Sequence, residues 1–260
     1  MKAPSFAYAK PRTLAEAFEL IERAGAKVLA GGQSLIPSLN MRLSAPELLV
    51  DITGLAALRS ITLEQGVVRI GALTTHADIE RSADIAKHLP LLAEAVRHIA
   101  HPAIRNRGTL GGSIALADPA AEYPACLVAL DATVVLQSKA GERLVKAEDF
   151  FKGLFEVDLG TGELVTAVEI PALLKDERSV FLELARRQGD YAIVGLAGVT
   201  SASRKRIAFF GLGAKPVLLQ PKSLDEAKAS IPAPSADLYN TAATKLHLAK
   251  VLLDRAWTKL

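Results

Sequence analysis

The chain has 260 residues, of which 50% are hydrophobic and 23% are charged, a balance that excludes intrinsic disorder and suits one large or two smaller domains. Its single cysteine, Cys126, excludes a disulfide, a multi-cysteine zinc site and an iron–sulfur cluster held by this chain alone. The formal net charge of +3 is far below that of a nucleic-acid-binding protein, so no nucleic-acid partner is predicted.

The charge is unevenly distributed. Residues 201–260 contain 10 Lys and Arg against 4 Asp and Glu, a net charge of +6, whereas residues 1–200 have a net charge of −3. This basic segment indicates either a solvated helical face or a surface for an acidic partner. No run of about 18 uncharged apolar residues and no signal-peptide core occurs, so the sequence predicts no membrane span and a cytoplasmic protein.

The N-terminal part predicts a β-α-β unit. Thr13 followed by Glu16 is a capping-box pattern, and Gly25 is typical of a residue just after a helix. A glycine-containing loop comes directly after the first clear strand. The predicted elements are a helix over 13–24, a strand over 26–30, a short helix over 35–41 and a strand over 48–52.

The middle of the chain predicts a sheet with helices between its strands. Glu64-Gln65-Gly66 separates two strand patterns and is typical of a hairpin turn. Thr75 and Pro90 stand where helices begin. The predicted elements are strands over 59–63 and 67–72, helices from 75 and over 90–99, a loop over 101–112, a helix near 121–130, and strands over 132–137, 144–145 and 164–170.

Pro171 and the charged residues 175–178 indicate a domain boundary. Strands grouped apart from helices favour the α+β class over a doubly wound sheet. The predicted domains are residues 1–174, with subdomains of about 1–55 and 56–174, and residues 175–260. The last elements are strands near 180–185, 192–200 and 206–212, a short helix capped by Ser223 and Glu226, and a closing helix over 244–257.

Several common sites are excluded. The chain has neither a GxxxxGK[ST] phosphate loop nor an HExxH zinc motif, and its five histidines lack metal-ligand spacing, so no metal site is predicted. Gly211-Leu212-Gly213 lacks the third glycine of a dinucleotide fingerprint and is interpreted as a turn. Residues 111–115, GGSIA, approach the GxSxG nucleophile elbow but end in alanine, which makes a serine hydrolase a minor alternative.

Two glycine segments remain as candidate binding elements: Ala30-Gly31-Gly32-Gln33-Ser34 and Thr109-Leu110-Gly111-Gly112-Ser113. Glycines let a backbone approach a ligand closely, and successive N–H groups that point inward form a nest for an anion. Two such loops are suited to clasp the two phosphates of a dinucleotide from opposite sides. The alternative is that both segments are only tight turns.

These segments belong to four blocks that resemble the flavin-binding medium subunit of the molybdenum hydroxylases, the family of carbon monoxide dehydrogenase and xanthine dehydrogenase. The blocks occur in family order and span nearly the whole chain. They are AGGQSLIP at 30–37 with RL at 42–43 and VDI at 50–52, IRNRGTLGGS at 104–113 with ADPAAE at 117–122, RRQGDYA at 186–192, and HLAKVLLDRA at 247–256.

The resemblance implies a two-part FAD-binding domain of the PCMH or vanillyl-alcohol-oxidase type over residues 1–174. A small α+β C-terminal domain of the carbon monoxide dehydrogenase flavoprotein type, with an antiparallel sheet, follows over residues 175–260. It also implies that FAD is bound non-covalently, its diphosphate by the first glycine segment through backbone N–H groups, with the second segment on the other side.

The resemblance further implies a role for each matched residue. Glu122 falls where an acidic residue reaches the ribose or adenine end, Tyr191 falls near the isoalloxazine ring, and Ile99 and Val165 line the pocket. The implied FAD-binding residues are Leu29, Ala30, Gly31, Gly32, Gln33, Ser34, Leu35, Ile36, Ile99, Thr109, Gly111, Gly112, Ser113, Glu122, Val165 and Tyr191.

Two positions depart from the family pattern. Ser113 stands where asparagine is frequent, and Glu183 stands where lysine is frequent, which puts a cofactor contact at Glu183 in doubt. Some members of the family have an additional iron–sulfur cluster in this subunit, and a chain with only Cys126 has too few thiolates for one.

The function implied is that of an FAD-binding electron-transfer subunit, an oxidoreductase component with no catalytic residue of its own. Its partners would be a large molybdopterin subunit and a small subunit with two [2Fe–2S] clusters, arranged as a dimer of heterotrimers. Substrate oxidation would occur on the large partner. The alternatives are a free-standing flavin oxidase of the same fold, which needs its own substrate pocket and base, and a non-enzymatic binding module.

Overall fold

The computed structural model describes residues 2–260. Fourteen strands form three larger sheets and one small hairpin within this range. The strands are β1 Ala7–Ala9, β2 Ala26–Leu29, β3 Leu48–Asp51, β4 Ile61–Glu64, β5 Val67–Gly71, β6 Thr133–Ser138, β7 Gly141–Lys146, β8 Phe151–Gly153, β9 Glu156–Val157, β10 Leu164–Pro171, β11 Arg178–Ala185, β12 Ala192–Thr200, β13 Lys205–Phe210 and β14 Val217–Leu219.

Most of the helices are short and connect these strands, apart from the closing helix α11. A 3₁₀ turn over Ala56–Leu58 precedes β4. The α-helices are α1 Leu14–Ile21, α2 Leu35–Asn40, α3 His76–Arg81, α4 Ala83–His88, α5 Pro90–Ala95, α6 Pro102–Arg105, α7 Leu110–Leu116, α8 Glu122–Ala129, α9 Ala147–Phe150, α10 Leu224–Ala229 and α11 Ala242–Trp257.

The first sheet is parallel and has the order β1-β3-β2. The predicted β-α-β unit is confirmed, because β2 and β3 are parallel neighbours joined through α2. Thr13 caps α1 by accepting a hydrogen bond from the N–H of Glu16. In the β2–β3 register, Leu29 lies opposite Asp51, which brings the ends of both strands to one edge. β1 has only three residues, too few for the alternation that predicts a strand.

The second sheet is antiparallel, in the order β4-β5-β10-β6-β7. Its apolar side packs against the helices of the middle region, and α8 is buried along its whole length, including Cys126. This is the largest apolar core of the chain, and full burial of each large aliphatic or aromatic side chain contributes about 2 kcal/mol.

The third sheet, β11-β12-β13-β14, is also antiparallel and is apolar on both faces. Strand residues alternate between faces. Phe181 and Phe210 pack into the core around α8, whereas Val180 and Phe209 pack against α11 in a separate core. The sheet therefore lies between the middle region and the closing helix.

The α+β class is confirmed, while some boundaries differ from those predicted. The predicted loop over 101–112 contains α6 and the start of α7, and the helix predicted over 90–99 ends at Ala95. Gly211–Gly213 forms a bend, as the turn interpretation predicted. Within residues 2–260, no helix is long and apolar enough to cross a membrane.

Candidate functional site

A cavity of about 720 Å³ opens between the edge of the first sheet and the segment that leads into α7. Seven of the residues predicted to bind FAD line it, and they come from both glycine segments. They are Leu29, Ala30, Gly31, Gly32, Gln33, Ile36 and Thr109. Two further predicted residues, Ser34 in the first segment and Leu35 directly after it, do not line the cavity.

The first glycine segment closely approaches another part of the backbone. A Cβ atom at Gly31 would lie 2.3 Å from the carbonyl oxygen of Arg107, so only glycine fits there. Gly32 has a φ of 73°, in the left-handed region that favours glycine. The Gln33 amide donates to the carbonyl oxygen of Gly31 at 2.9 Å and stabilises the turn. Both glycines are therefore required by the local geometry.

The N–H groups of Gly31, Gly32 and Gln33 donate no hydrogen bond within residues 2–260. All three residues line the cavity. Unpaired backbone donors beside a cavity need an acceptor, and three consecutive ones suit the oxygens of a phosphate group. The first segment therefore fits the diphosphate of a dinucleotide.

The second glycine segment is built differently, and the hypothesis of a second N–H nest is wrong. Thr109 caps α7, and the N–H groups of the four following residues, 110–113, are all used within the chain. None of these donors is available to a ligand. In residue order, their acceptors are Thr74 O at 3.0 Å, Ala72 O at 2.9 Å, Thr109 Oγ1 at 3.1 Å and Thr109 O at 3.0 Å.

The glycines of this second segment serve packing. A Cβ atom at Gly111 would lie 2.5 Å from the Cβ atom of Ala72, so glycine is needed for α7 to pack against Ala72. A Cβ atom at Gly112 would lie 2.9 Å from Thr109 Oγ1, the oxygen that caps α7, and 3.9 Å from the Cβ atom of Ala30 in the first segment. Of the predicted residues in this segment, only Thr109 lines the cavity.

The remaining predicted residues lie away from the cavity. Ile99 and Val165 are buried in the core around α8. Tyr191 has 69% of its surface exposed, and partial desolvation together with the negative charges of Asp118 and Glu122 raises the pKa of its phenol. Asp118 and Glu122 come after the C-terminal end of α7, whereas Thr109 precedes its N-terminal end.

This grouping bears on the roles that the resemblance implies. The resemblance placed Glu122 at the ribose or adenine end of FAD and Tyr191 at the ring end. The structure brings Glu122 and Tyr191 close enough for the charge of one to shift the pKa of the other. The roles of Glu122 and Tyr191 toward FAD remain predictions.

Two buried carboxyl groups, those of Glu122 and Glu183, form a second polar feature outside the cavity lining. Desolvation raises the pKa of Glu122 to about 7, and desolvation together with the charge of Glu122 raises that of Glu183 to about 8. Glu183 Oε2 accepts no hydrogen bond, and its nearest ionisable partner is His98 Nδ1 at 3.7 Å. Burial lowers the pKa of His98, so this imidazole is a weak base. The sequence indicated Glu183 only as a departure from the family pattern.

Sequence reasoning missed a polar corner of the cavity formed by Lys10, Asp51, Thr53 and Arg59. Asp51 accepts hydrogen bonds from the Tyr8 hydroxyl at 2.5 Å and from the Thr53 N–H and hydroxyl at 2.8 and 2.6 Å. Burial opposes ionisation of Asp51, but these hydrogen bonds outweigh it and lower the pKa. One signal existed: Asp51 ends the second strand of the β-α-β unit, about 20 residues after the glycines, where dinucleotide-binding units place an acidic residue.

Comparison with known proteins identifies the class. Residues 4–173 match the family model described as the FAD binding domain in molybdopterin dehydrogenase. The 6-hydroxypseudooxynicotine dehydrogenase complex subunit alpha of Paenarthrobacter nicotinovorans is 44% identical over 85% of this chain and 77% of that protein. The carbon monoxide dehydrogenase medium chain of Afipia carboxidovorans is 34% identical over 97% of this chain and 95% of that protein.

Solved structures agree over the whole chain. Reconstituted CO dehydrogenase from Oligotropha carboxidovorans contains a chain of 33% identity that superposes with a TM-score of 0.94, covering 100% of this chain and 98% of that one. Quinoline 2-oxidoreductase from Pseudomonas putida 86 contains a chain of 35% identity that superposes with a TM-score of 0.92, again covering 100% of this chain and 98% of that one.

The chain therefore belongs to the family of FAD-binding domains of the molybdopterin dehydrogenases. It is a medium, FAD-binding subunit of an oxidoreductase of the molybdenum hydroxylase type, and its cofactor is FAD. The resemblance stated from the sequence is thereby confirmed. Residues 2–260 contain no group of three or more His, Cys, Asp or Glu side chains arranged to hold a metal ion.

Proposed function

We propose that this chain passes electrons from the [2Fe–2S] clusters of a small partner subunit through FAD to an external acceptor. The observation that supports the proposal is the row of three unpaired N–H groups at Gly31, Gly32 and Gln33 on the wall of a cavity of dinucleotide size. A flavin supplies the redox chemistry when it is bound, and the protein supplies binding and orientation.

In this proposal, the first glycine segment binds the diphosphate of FAD, and Thr109 contacts it from the other wall of the cavity. Ser113, one turn further along α7, has a hydroxyl without a hydrogen-bond partner among residues 2–260. Tyr191 lies near the flavin ring and limits access to it. Ile99 and Val165 support this part of the site from the apolar core.

No residue of the chain is assigned an acid–base or nucleophilic role in substrate turnover. The reaction on the substrate belongs, in this proposal, to a large partner subunit with a molybdenum cofactor. Relatives named as medium chains and as complex subunits support a multi-subunit assembly. The arrangement as a dimer of heterotrimers in the cytoplasm is part of the same proposal.

The domain boundaries are proposed at residue 174, with a division of the first domain near residue 55. The parallel sheet β1–β3 and the antiparallel sheet β4–β7 with β10 fall on the two sides of the inner division. The sheet β11–β14 and the helices α10 and α11 form the proposed C-terminal domain. The match to the family model ends at residue 173, which supports the outer boundary.

The test is rapid mixing of the FAD-loaded chain with its chemically reduced [2Fe–2S] partner, with the flavin absorption band as the readout. The proposal predicts that the absorption band of the oxidised flavin bleaches at the same rate as the cluster is reoxidised. Gly32→Val, which we expect to lose FAD, serves as the control in which the cluster stays reduced. A flavin that stays oxidised while an external acceptor reoxidises the cluster directly would overturn the proposal.

A further inference from the structure

The charge of the cavity wall is unbalanced. Its lining includes three cationic side chains, Lys10, Arg59 and Arg107, and one carboxylate, Asp51, for a net charge of +2. A diphosphate at neutral pH carries about two negative charges, which this excess matches. Because the N–H groups of the second glycine segment are used within the chain, the backbone supplies donors from one side of the cavity only.

Two of these cations are held in one corner. Lys10 Nζ lies 3.5 Å from Asp51 Oδ2, and Arg59 Nη2 donates to the carbonyl oxygen of Thr53 at 3.2 Å. Asp51 in turn accepts two hydrogen bonds from Thr53. The Asp51–Thr53 turn therefore fixes both cations, and Lys10 and Arg59 keep further N–H donors free for a ligand.

The position of α7 decides which part of a dinucleotide meets this corner. Thr109, at the N-terminal end of α7, lines the cavity, while Asp118 and Glu122, near Tyr191, come after its C-terminal end. A helix of seven residues is about 10 Å long. A ligand that extends from the cavity to Tyr191 must run along α7, so its other half stays beside Lys10 and Arg59.

We propose that Lys10 and Arg59 bind the adenosine-side phosphate of FAD and thereby make the site selective for the dinucleotide over FMN. This inference rests on the proposed placement of the flavin ring near Tyr191. Charge-assisted hydrogen bonds from ammonium and guanidinium groups to phosphate oxygens are among the stronger polar contacts in proteins. Asp51 acts as a positioning residue for both cations.

The experiment measures the affinity of the full-length, flavin-free chain for FAD, ADP, FMN and riboflavin by calorimetry and by flavin fluorescence. The variants are Lys10→Met and Arg59→Met. The matched controls are Lys27→Met and Arg23→Met, which remove the same charges from exposed positions of the same region that do not line the cavity. Thermal unfolding checks that every variant is folded.

We expect each cavity variant to weaken binding of FAD and ADP roughly ten-fold, which corresponds to the loss of one charge-assisted hydrogen bond, while FMN and riboflavin bind as in the wild type. Equal weakening of FMN and FAD would assign these cations to the flavin-side phosphate and overturn the proposal. Affinities equal to those of the control variants would also overturn it. These affinities do not test the electron-transfer proposal, which the rapid-mixing experiment with the reduced partner tests separately.

Discussion

The two glycine segments of this protein have nearly the same composition and opposite uses. In the first, the N–H groups of Gly31, Gly32 and Gln33 are unpaired and line a cavity. In the second, the N–H groups of residues 110–113 are all paired within the chain. Glycines in both segments closely approach the protein's own backbone, Gly31 at Arg107 and Gly111 at Ala72, so the difference lies in whether the N–H groups of the segment are left unpaired beside a cavity.

The physical cause lies in what each segment contacts. The first segment leaves the edge of a parallel sheet in a turn with positive φ at Gly32, and this turn directs its N–H groups away from the ladder. The second segment begins a helix with Thr109 as its cap, beside the chain at Ala72. A helix start that is capped and packed in this way keeps few donors free.

The largest change in stability is expected for Gly111→Ala. The added Cβ atom would lie 2.5 Å from the Cβ atom of Ala72 and 2.8 Å from its carbonyl oxygen, so α7 must shift. We expect a loss of about 3 kcal/mol in the free energy of unfolding, measured by denaturant titration of the flavin-free chain. Gly213→Ala is the control, because a Cβ atom there meets nothing within 4 Å. Equal stability of the two variants would contradict a packing role for Gly111.

Gly32→Val is expected to have the largest effect on FAD content with a smaller effect on stability. The residue has a φ of 73°, and an added Cβ atom would lie 3.1 Å from Ile36 Cγ1. Strain of about 2 kcal/mol is expected at such a position, and the loop must change its conformation. Flavin absorbance per mole of folded protein measures the loss of FAD. Unchanged flavin content would show that this loop does not bind the diphosphate.

Thr109→Ala sharpens the comparison, because Thr109 is the one predicted residue of the second segment that lines the cavity. Removal of this helix cap costs about 1 kcal/mol of stability. Thr13→Ala removes the equivalent cap of α1 at a residue that does not line the cavity, and we expect a similar loss. Only Thr109→Ala should also weaken FAD binding, by a factor of about five. Equal FAD affinity in the two variants would leave Thr109 with a capping role alone.

Glu183→Gln tests a buried carboxyl group that has no hydrogen-bond partner, and its effect depends on pH. The pKa of Glu183 is about 8 in the folded protein against an ordinary value of 4.5. Between these values the folded state holds a proton that the unfolded state has released, so stability falls as pH rises. Glutamine resembles the neutral carboxyl group and removes this dependence.

We therefore expect the melting temperature of the wild type to fall more steeply than that of Glu183→Gln between pH 5 and pH 8. The groups that face Glu183 are His98 after α5, and Glu122 and Cys126 on α8. All three remain in the variant, and Glu122, with a pKa raised to about 7, keeps part of the slope. Glu64→Gln, at an exposed position of β4, is the control. Parallel curves for wild type and Glu183→Gln would contradict the raised pKa.

The sequence alone determined the family, the α+β class and the elements whose signals are local. Thr13 with Glu16 and Ser223 with Glu226 cap helices where predicted, because a cap involves residues only three apart. Long alternating or apolar runs such as β10 and β12 were also predicted, since their pattern extends over eight or nine residues. β1 and the β8–β9 hairpin are too short to show a pattern.

Tertiary structure decided which groups meet. Lys10, Asp51 and Arg59 converge on one corner of the cavity from separate segments, and Glu183 on β11 comes to lie beside Glu122 on α8. It also decided that one glycine segment faces a cavity and the other packs against Ala72. Sequence patterns report the conformation of neighbouring residues, whereas the partner of a hydrogen-bond donor or of a buried charge depends on chain segments that only the complete fold brings together.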